Sequence, residues 1–372
     1  TETFETITEK VHEQLGMKVG IVSSVNLNHA TPAAFYAHQA SRNNYYEIGE
    51  ELVASGFEYF AGGGLKKTTG YDKENPLPNL YDLAKDAGYT VTFTNEEAEA
   101  ITADSGKVIL IDEHLADSDA MAYELDRTDD MWSLADYVEK GIEVLDNDKG
   151  FFMMCEGGKI DWACHANDAA SSINDTMALA DAVQVAVDFA AKHPEETLII
   201  VTGDHETGGL TIGFAGTDYD TYLTLLESQK ISFQKFDDEY TAAYKENGTT
   251  FEEALADIEA LFGLKAEGEE GDKLVLTAYE LEQLRMAFEK SINGTETGVD
   301  AQAEYVMYGT YDPLSVTLTH ILNNKSGISF TSYSHTGLPV AVLAEGVNAE
   351  VFNGYYDNTD IFNKLAEMLN VQ

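Results

Sequence analysis

Apolar positions in the first 216 residues alternate between two textures. Short β-type runs recur at Val19 to Ser24, Phe57 to Ala61, Tyr89 to Phe93, Val108 to Ile111, Phe151 to Cys155 and Leu198 to Val201. Between several of them, apolar residues return every three or four positions over 43–55, 76–87, 131–146 and 169–192, the spacing of one helix face. A helical run also precedes the first strand: Phe4, Ile7, Val11 and Leu15 predict a helix over 4–15 that Gly16 stops. Buried strands alternating with helices predict an α/β fold, a doubly wound sheet flanked by helices.

From about 217 to 326 strand runs give way to acidic helical patterns at 219–230, 236–246, 250–262 and 277–291. Strand character returns at Ile328 to Tyr333 and Val340 to Glu345, and a helix over 358–369 closes the chain. The expected organisation is therefore a first part of the core over 1–216, a helical insertion over 217–326, and the last strands and C-terminal helix of the core over 327–372.

A net charge of −44 excludes a nucleic-acid binder, which needs dense Lys and Arg against phosphates. The acidity reads as solubility, and it requires that an anionic substrate be drawn in by bound cations and not by the general surface. With arginine at positions 42, 127 and 285 alone, an arginine beside a site motif carries weight. The two cysteines, Cys155 and Cys164, build neither a disulfide framework nor a Cys-rich zinc site. No apolar run approaches the roughly 18 residues of a membrane span.

Chemistry concentrates where strand runs end. Glu156-Gly157-Gly158-Lys159-Ile160-Asp161-Trp162-Ala163-Cys164-His165 follows one run, and Thr202-Gly203-Asp204-His205-Glu206-Thr207 follows another. Asp161 and His165 stand four apart at a helix start, so one face presents both to one ion. Ser334-His335-Thr336 follows a third run, and Asn28-His29-Ala30-Thr31-Pro32 with Ser41-Arg42 follows the first. Singly these motifs are weak. Four strand ends delivering His, Asp, Glu, Thr and Arg to the edge where open α/β sheets build their sites point to a metal-dependent hydrolase. The donors suit zinc, with a carboxylate and hydroxyl site suiting magnesium.

In motif order and spacing, residues 5–42, 150–216 and 328–346 resemble the alkaline phosphatase family. Trp162 beside Asp161, and His29 two before Thr31, resemble a bacterial group related to cold-active marine enzymes; other bacterial members carry Lys and Asp there. The resemblance implies a first zinc on Asp161, His165 and His335, a second zinc on Asp204 and His205, and magnesium on Glu156 and Thr31. It implies that Arg42 clamps a phosphate monoester and that the protein is a periplasmic or extracellular homodimer. His29 reads as a hydrogen-bonding neighbour of the ligands. Trp162 either lines the phosphate pocket or covers the sheet, and His38 reads as packed beneath the site. His12, His114, His193 and His320 read as structural.

Two family parts have no match: an aspartate ending the first strand and bridging two metals, and a nucleophilic serine at a helix N-terminus. Both belong upstream of the segment that opens at Thr1. Residues 1–372 are accordingly expected to hold one zinc tightly, a second weakly, and to be inactive by themselves. Asp117-Ser118-Asp119 reads as a turn. Because every proposed ligand lies outside 217–326, the site is expected to survive removal of the insertion. Two rival readings are a related two-metal sulfatase, phosphodiesterase or phosphomutase, and a non-catalytic remnant that binds metal or phosphate.

Overall fold

The structure is a computed structural model and describes residues 3–372; the first two residues of the segment 1–216 lie outside the described residues. Five parallel strands form the main sheet: β1 (Lys18–Ser23), β2 (Tyr59–Gly62), β3 (Thr90–Thr92), β4 (Val108–Ile111) and β5 (Phe151–Glu156), in the order β3-β4-β2-β1-β5. Their side chains alternate between two cores. Val19, Ile21, Phe60 and Ile109 face one that also takes Leu52 and Leu80 from the helices Tyr45–Ser55 and Leu80–Asp86, and Leu365 from the C-terminal helix Thr359–Leu369. Val22, Tyr59, Val108 and Leu110 face the other, which takes Tyr137 and Val138 from helix Leu134–Leu145 and Ala182 from helix Ala169–Ala190. Both sheet faces are thus covered by helices, as a parallel sheet requires.

The chain runs from β1 to β2 on one side and returns to β5 on the other. The loops leaving β1 and β5 therefore diverge and open a crevice between Ser23 and Glu156, which are register partners. Gly62, at φ 110° beside that crevice, leaves room for the chain after β1: a Cβ there would sit 2.0 Å from the Ser23 carbonyl oxygen.

The remaining strands form three antiparallel pairs. β6 (Leu198–Thr202) pairs with β11 (Val342–Gly346), β7 (Glu206–Thr207) with β10 (His335–Thr336), and β8 (Thr211–Ile212) with β9 (Ile328–Ser329). The run expected as a strand to Tyr333 stops at Ser329, because the next backbone N–H groups, those of Thr331 and Ser332, turn to the Gly208 carbonyl. The expected helix over 4–15 starts at Ile7, capped by Thr6, and its second half, Val11–Leu15, widens into a π turn before Gly16 ends it at φ 67°.

Residues 217–326 carry a core of their own, with Phe236, Phe262, Leu284, Phe288, Leu318 and Leu322 buried together. Its central helix, Pro313–Ser326, buries most of its residues on every side. The segment is fastened to the core by hydrogen bonds. Asp168, the N-cap of helix Ala169–Ala190, accepts from Gln229 Nε2 at 2.9 Å and from the Phe233 N–H at 3.0 Å. Asn167 Oδ1 pairs with His320 Nε2 at 3.0 Å, and the Asn167 carbonyl accepts from Asn323 at 2.7 Å. Asn167 and Asp168 directly follow the helix that bears His165. Removing residues 217–326 would leave these buried polar groups without these partners.

Candidate metal and phosphate site

Helix Gly158–His165 starts two residues after β5, and Gly158 lets it abut the strand ends, since a Cβ there would meet Val25 at 2.8 Å and Glu156 at 3.1 Å. One turn apart on this helix, Asp161 and His165 face each other, Oδ1 to Nε2, at 3.4 Å. His335 comes from β10, with its Nε2 3.8 Å from the same Asp161 oxygen. His205, just before β7, stacks on His335 with ring centroids 3.4 Å apart, and its Nε2 lies 3.2 Å from Asp204. Asp161, His205 and His335 have ligand atoms within 4.8 Å of one another. Residues that the resemblance divides between two zinc sites thus meet in one cluster, with Asp204 and His165 at its edges.

Neighbouring groups fix how the rings are presented. The Tyr333 carbonyl, 2.7 Å from His165 Nδ1, can only accept, so Nδ1 carries a proton and Nε2 is the ring atom turned toward Asp161. The Thr207 hydroxyl donates to Asp161 Oδ1 at 2.5 Å and so accepts from His205 Nδ1 at 3.2 Å, which turns His205 Nε2 the same way. Glu206 supports β10 through Thr336 and accepts from the Gly209 N–H. Burial and the charges of His205 and His165 hold His335 below the usual imidazole range.

Glu156, at the end of β5, accepts from the Ser23 hydroxyl and meets the Thr31 side chain. Burial pushes its carboxyl up to about 7, with Asp204 and Asp161 adding in the same direction. Carboxylates crowded this closely and short of positive charge fit a divalent cation, which would reverse that shift.

Arg42 is exposed, and its Nη2 donates to His29 Nε2 at 2.9 Å. Burial, then the Arg42 charge, lowers His29 to about 4, so the ring is neutral and accepts. Its Nδ1 is buried with no partner among the described residues. Trp162 meets the same His29 ring edge-on at 5.7 Å. Asn28 braces the loop carrying His29 and Thr31, donating to the carbonyls of Tyr45 and Lys66. His38 does not pack beneath the site: it is exposed and pairs with Glu9 at 3.0 Å, because the chain from His38 to Asn43 runs along the surface. Cys164 packs against Ser172 at 3.1 Å, and burial pushes its thiol up to about 11, a packed thiol and not a thiolate. Sequence reading assigned no role to Ser23, Thr207 or the Tyr333 carbonyl, which touch the candidate ligands through hydrogen bonds that join distant parts of the chain.

The family model described as alkaline phosphatase matches residues 1–371. Alkaline phosphatase 3 of Bacillus subtilis is 29% identical over 372 residues, covering 98% of this chain and 70% of that protein. The crystal structure of a cold-active alkaline phosphatase from a psychrophilic Shewanella superposes with a TM-score of 0.76 at 28% identity, over 98% of this chain and 78% of that one. A mutant of the TAB5 alkaline phosphatase with magnesium bound shares the fold at a TM-score of 0.61 and 24% identity, over 98% of this chain and 75% of that one. Among the described residues no helix is long and apolar enough to cross a membrane. With the match spanning nearly every residue and the fold shared, this chain belongs to the alkaline phosphatase family.

Proposed function

We propose that the site hydrolyses phosphate monoesters, with zinc on Asp161, His165 and His335, a second zinc on Asp204 and His205, and magnesium on Glu156 and Thr31. The observation that carries this reading is the meeting of Asp161, His205 and His335 within 4.8 Å at the strand ends. Bound there, the cations would supply charge neutralisation for both apical oxygens of an in-line displacement. Arg42 then donates two hydrogen bonds to non-reacting phosphate oxygens, a task for a planar fork. His29, neutral, holds the guanidinium in place. Tyr333 and Thr207 keep His165 and His205 in the tautomers that bind metal. Phosphoryl transfer depends on this positioning more than on acid–base chemistry.

The hydroxyls of Ser23 and Thr207 donate to Glu156 and Asp161, so neither is free to attack. The nucleophile and a metal-bridging aspartate belong, in this proposal, to a further extended segment that enters between β5 and β6. Among the described residues each of these strands is paired on one edge alone, β5 with β1 and β6 with β11. Phe152 of β5 and Leu198 and Ile200 of β6 pack on the same core without sharing a hydrogen bond ladder. A homodimer and a periplasmic or extracellular setting belong to the same reading.

Hydrolysis of an aryl phosphate at alkaline pH, with zinc and magnesium supplied, tests it. Residues 1–372 by themselves are expected to turn over negligibly. A peptide or fusion bearing a strand-end Asp and a helix-N-terminal Ser is expected to raise the rate by several orders of magnitude, on the order of 10³-fold or more. Robust zinc-dependent turnover by residues 1–372 alone would show that water or another residue attacks.

A further inference from the structure

Lys159 is fully buried, two residues before Asp161 in the helix that carries the metal-binding pair. A buried ammonium is costly unless paired, and its Nζ lies 2.9 Å from Asp117 Oδ1. The same Nζ stands 3.8 Å from the centroid of Tyr123 and 5.0 Å from that of Trp162, one helical turn on. Trp162 meets His29, and His29 receives the Arg42 hydrogen bond. Asp117 opens a turn in which Ser118 and Asp119 both hold left-handed backbone, at φ 56° and 58°. Residues other than glycine adopt that conformation only where their surroundings enforce it. Here the Gly64 N–H donates to the Asp119 carbonyl and the Ala116 N–H to the Ala120 carbonyl, both at 2.7 Å. A row of contacts thus runs from a strained turn, through the buried lysine and the indole, to the exposed guanidinium.

We infer that Lys159, held by Asp117, is a positioning residue for phosphate recognition: its cation–π contact sets the Trp162 indole, the indole sets the His29 ring, and the ring orients Arg42. Neither Lys159 nor Asp117 touches the phosphate. Arg42 is exposed and carries several rotatable bonds, so a fork aimed in advance loses less freedom on binding than one that must be ordered. The inference rests on the proposed role of Arg42 as phosphate clamp, and the experiment separates the two.

Inorganic phosphate is titrated calorimetrically into the zinc- and magnesium-loaded chain carrying Trp132→Phe, and Trp162 emission is read in the same samples. Arg42→Ala is expected to weaken binding. Lys159→Met is expected to weaken it by roughly tenfold, the range of one disturbed charge-assisted contact, to shift Trp162 emission, and to leave zinc affinity unchanged. Asp117→Asn should weaken phosphate binding in the same direction, and Lys159→Arg, which keeps charge and ring contact, should bind as the parent does. Should Lys159→Met fail to fold, Asp117→Asn and Lys159→Arg decide the matter. Phosphate affinity that is unmeasurable in the parent, or indifferent to Arg42→Ala, would overturn the clamp and this inference with it. Sensitivity to Arg42→Ala together with parent-like binding by Asp117→Asn, or by a folded Lys159→Met, would overturn the positioning role alone.

Discussion

The β1, β2 and β4 strands differ sharply from β5, β6 and β11. The first three are paired on both edges and almost wholly buried. The second three carry the same kind of residue yet remain half-exposed: Phe151 to Met153 and Leu198 to Val201 are partly open, and Leu343 is 64% exposed. Strands as apolar as β5 and β6 are normally covered on both faces and paired on both edges. The contrast teaches that the closed half sets the position of the site, through the crevice at β1 and β5. The open half supplies most of the side chains proposed to bind metal, at the ends of β5 and β6 and on β10.

Metal binding should bear on the open half most. Zinc is expected to bind residues 1–372 at close to one tight equivalent, and His335→Ala to weaken that site by more than roughly 100-fold, beyond what loss of an outer partner costs. Hydrogen exchange should then show added protection at β6, β7, β10 and β11 and little at β2 and β4. Equal protection across all strands would erase the distinction.

Packing offers a second comparison. Ile21→Ala, in the closed half, should cost about 2–5 kcal/mol by urea denaturation, as a fully buried aliphatic truncation does. Leu343→Ala, in the open half, should stay within about 0.5 kcal/mol. If the two cost the same, β11 is covered in solution.

Between these in size lies a pH effect at the end of β5. Burial raises Glu156 from the ordinary 4.5 to about 7, so between those values the folded chain holds a proton that the unfolded chain has lost. Stability of the metal-free protein should therefore fall as pH rises through that window, by at most about 3 kcal/mol. Glu156→Gln should abolish the decline in chelator-treated protein. A flat profile in the unsubstituted metal-free chain would mean that the carboxylate is already compensated.

The sequence reveals this fold wherever periodicity is strong and the site wherever ligands end strands. The strand at Val108–Ile111 coincides with its run, and Asp161 and His165 meet as their spacing requires. Helix Pro313–Ser326 escapes notice for a physical reason. It is buried on every side, so Leu314-Ser315-Val316-Thr317-Leu318-Thr319 shows no polar face and alternates like a strand. The Asp117 turn is read correctly as a turn, but its ion pair with Lys159 spans 42 residues and has no local signature. A lone lysine between Glu156 and Asp161, in a chain with 22 basic residues against 66 acidic ones, is the signal that could have drawn attention.

The pairing of Leu198 with Gly346, and of His165 with the Tyr333 carbonyl, sets the order in which the molecule can assemble. Residues 18–156 contain every strand of the main sheet and can collapse as a unit during synthesis. β6 then waits for a partner that lies beyond some 140 further residues, on the order of 10–30 s at ordinary translation rates. For that interval an apolar edge stands open on a nascent chain, and loop closure over so long a span is slow even after release. The insertion, whose core is drawn mostly from residues within 217–326, is what the ribosome delivers during the wait.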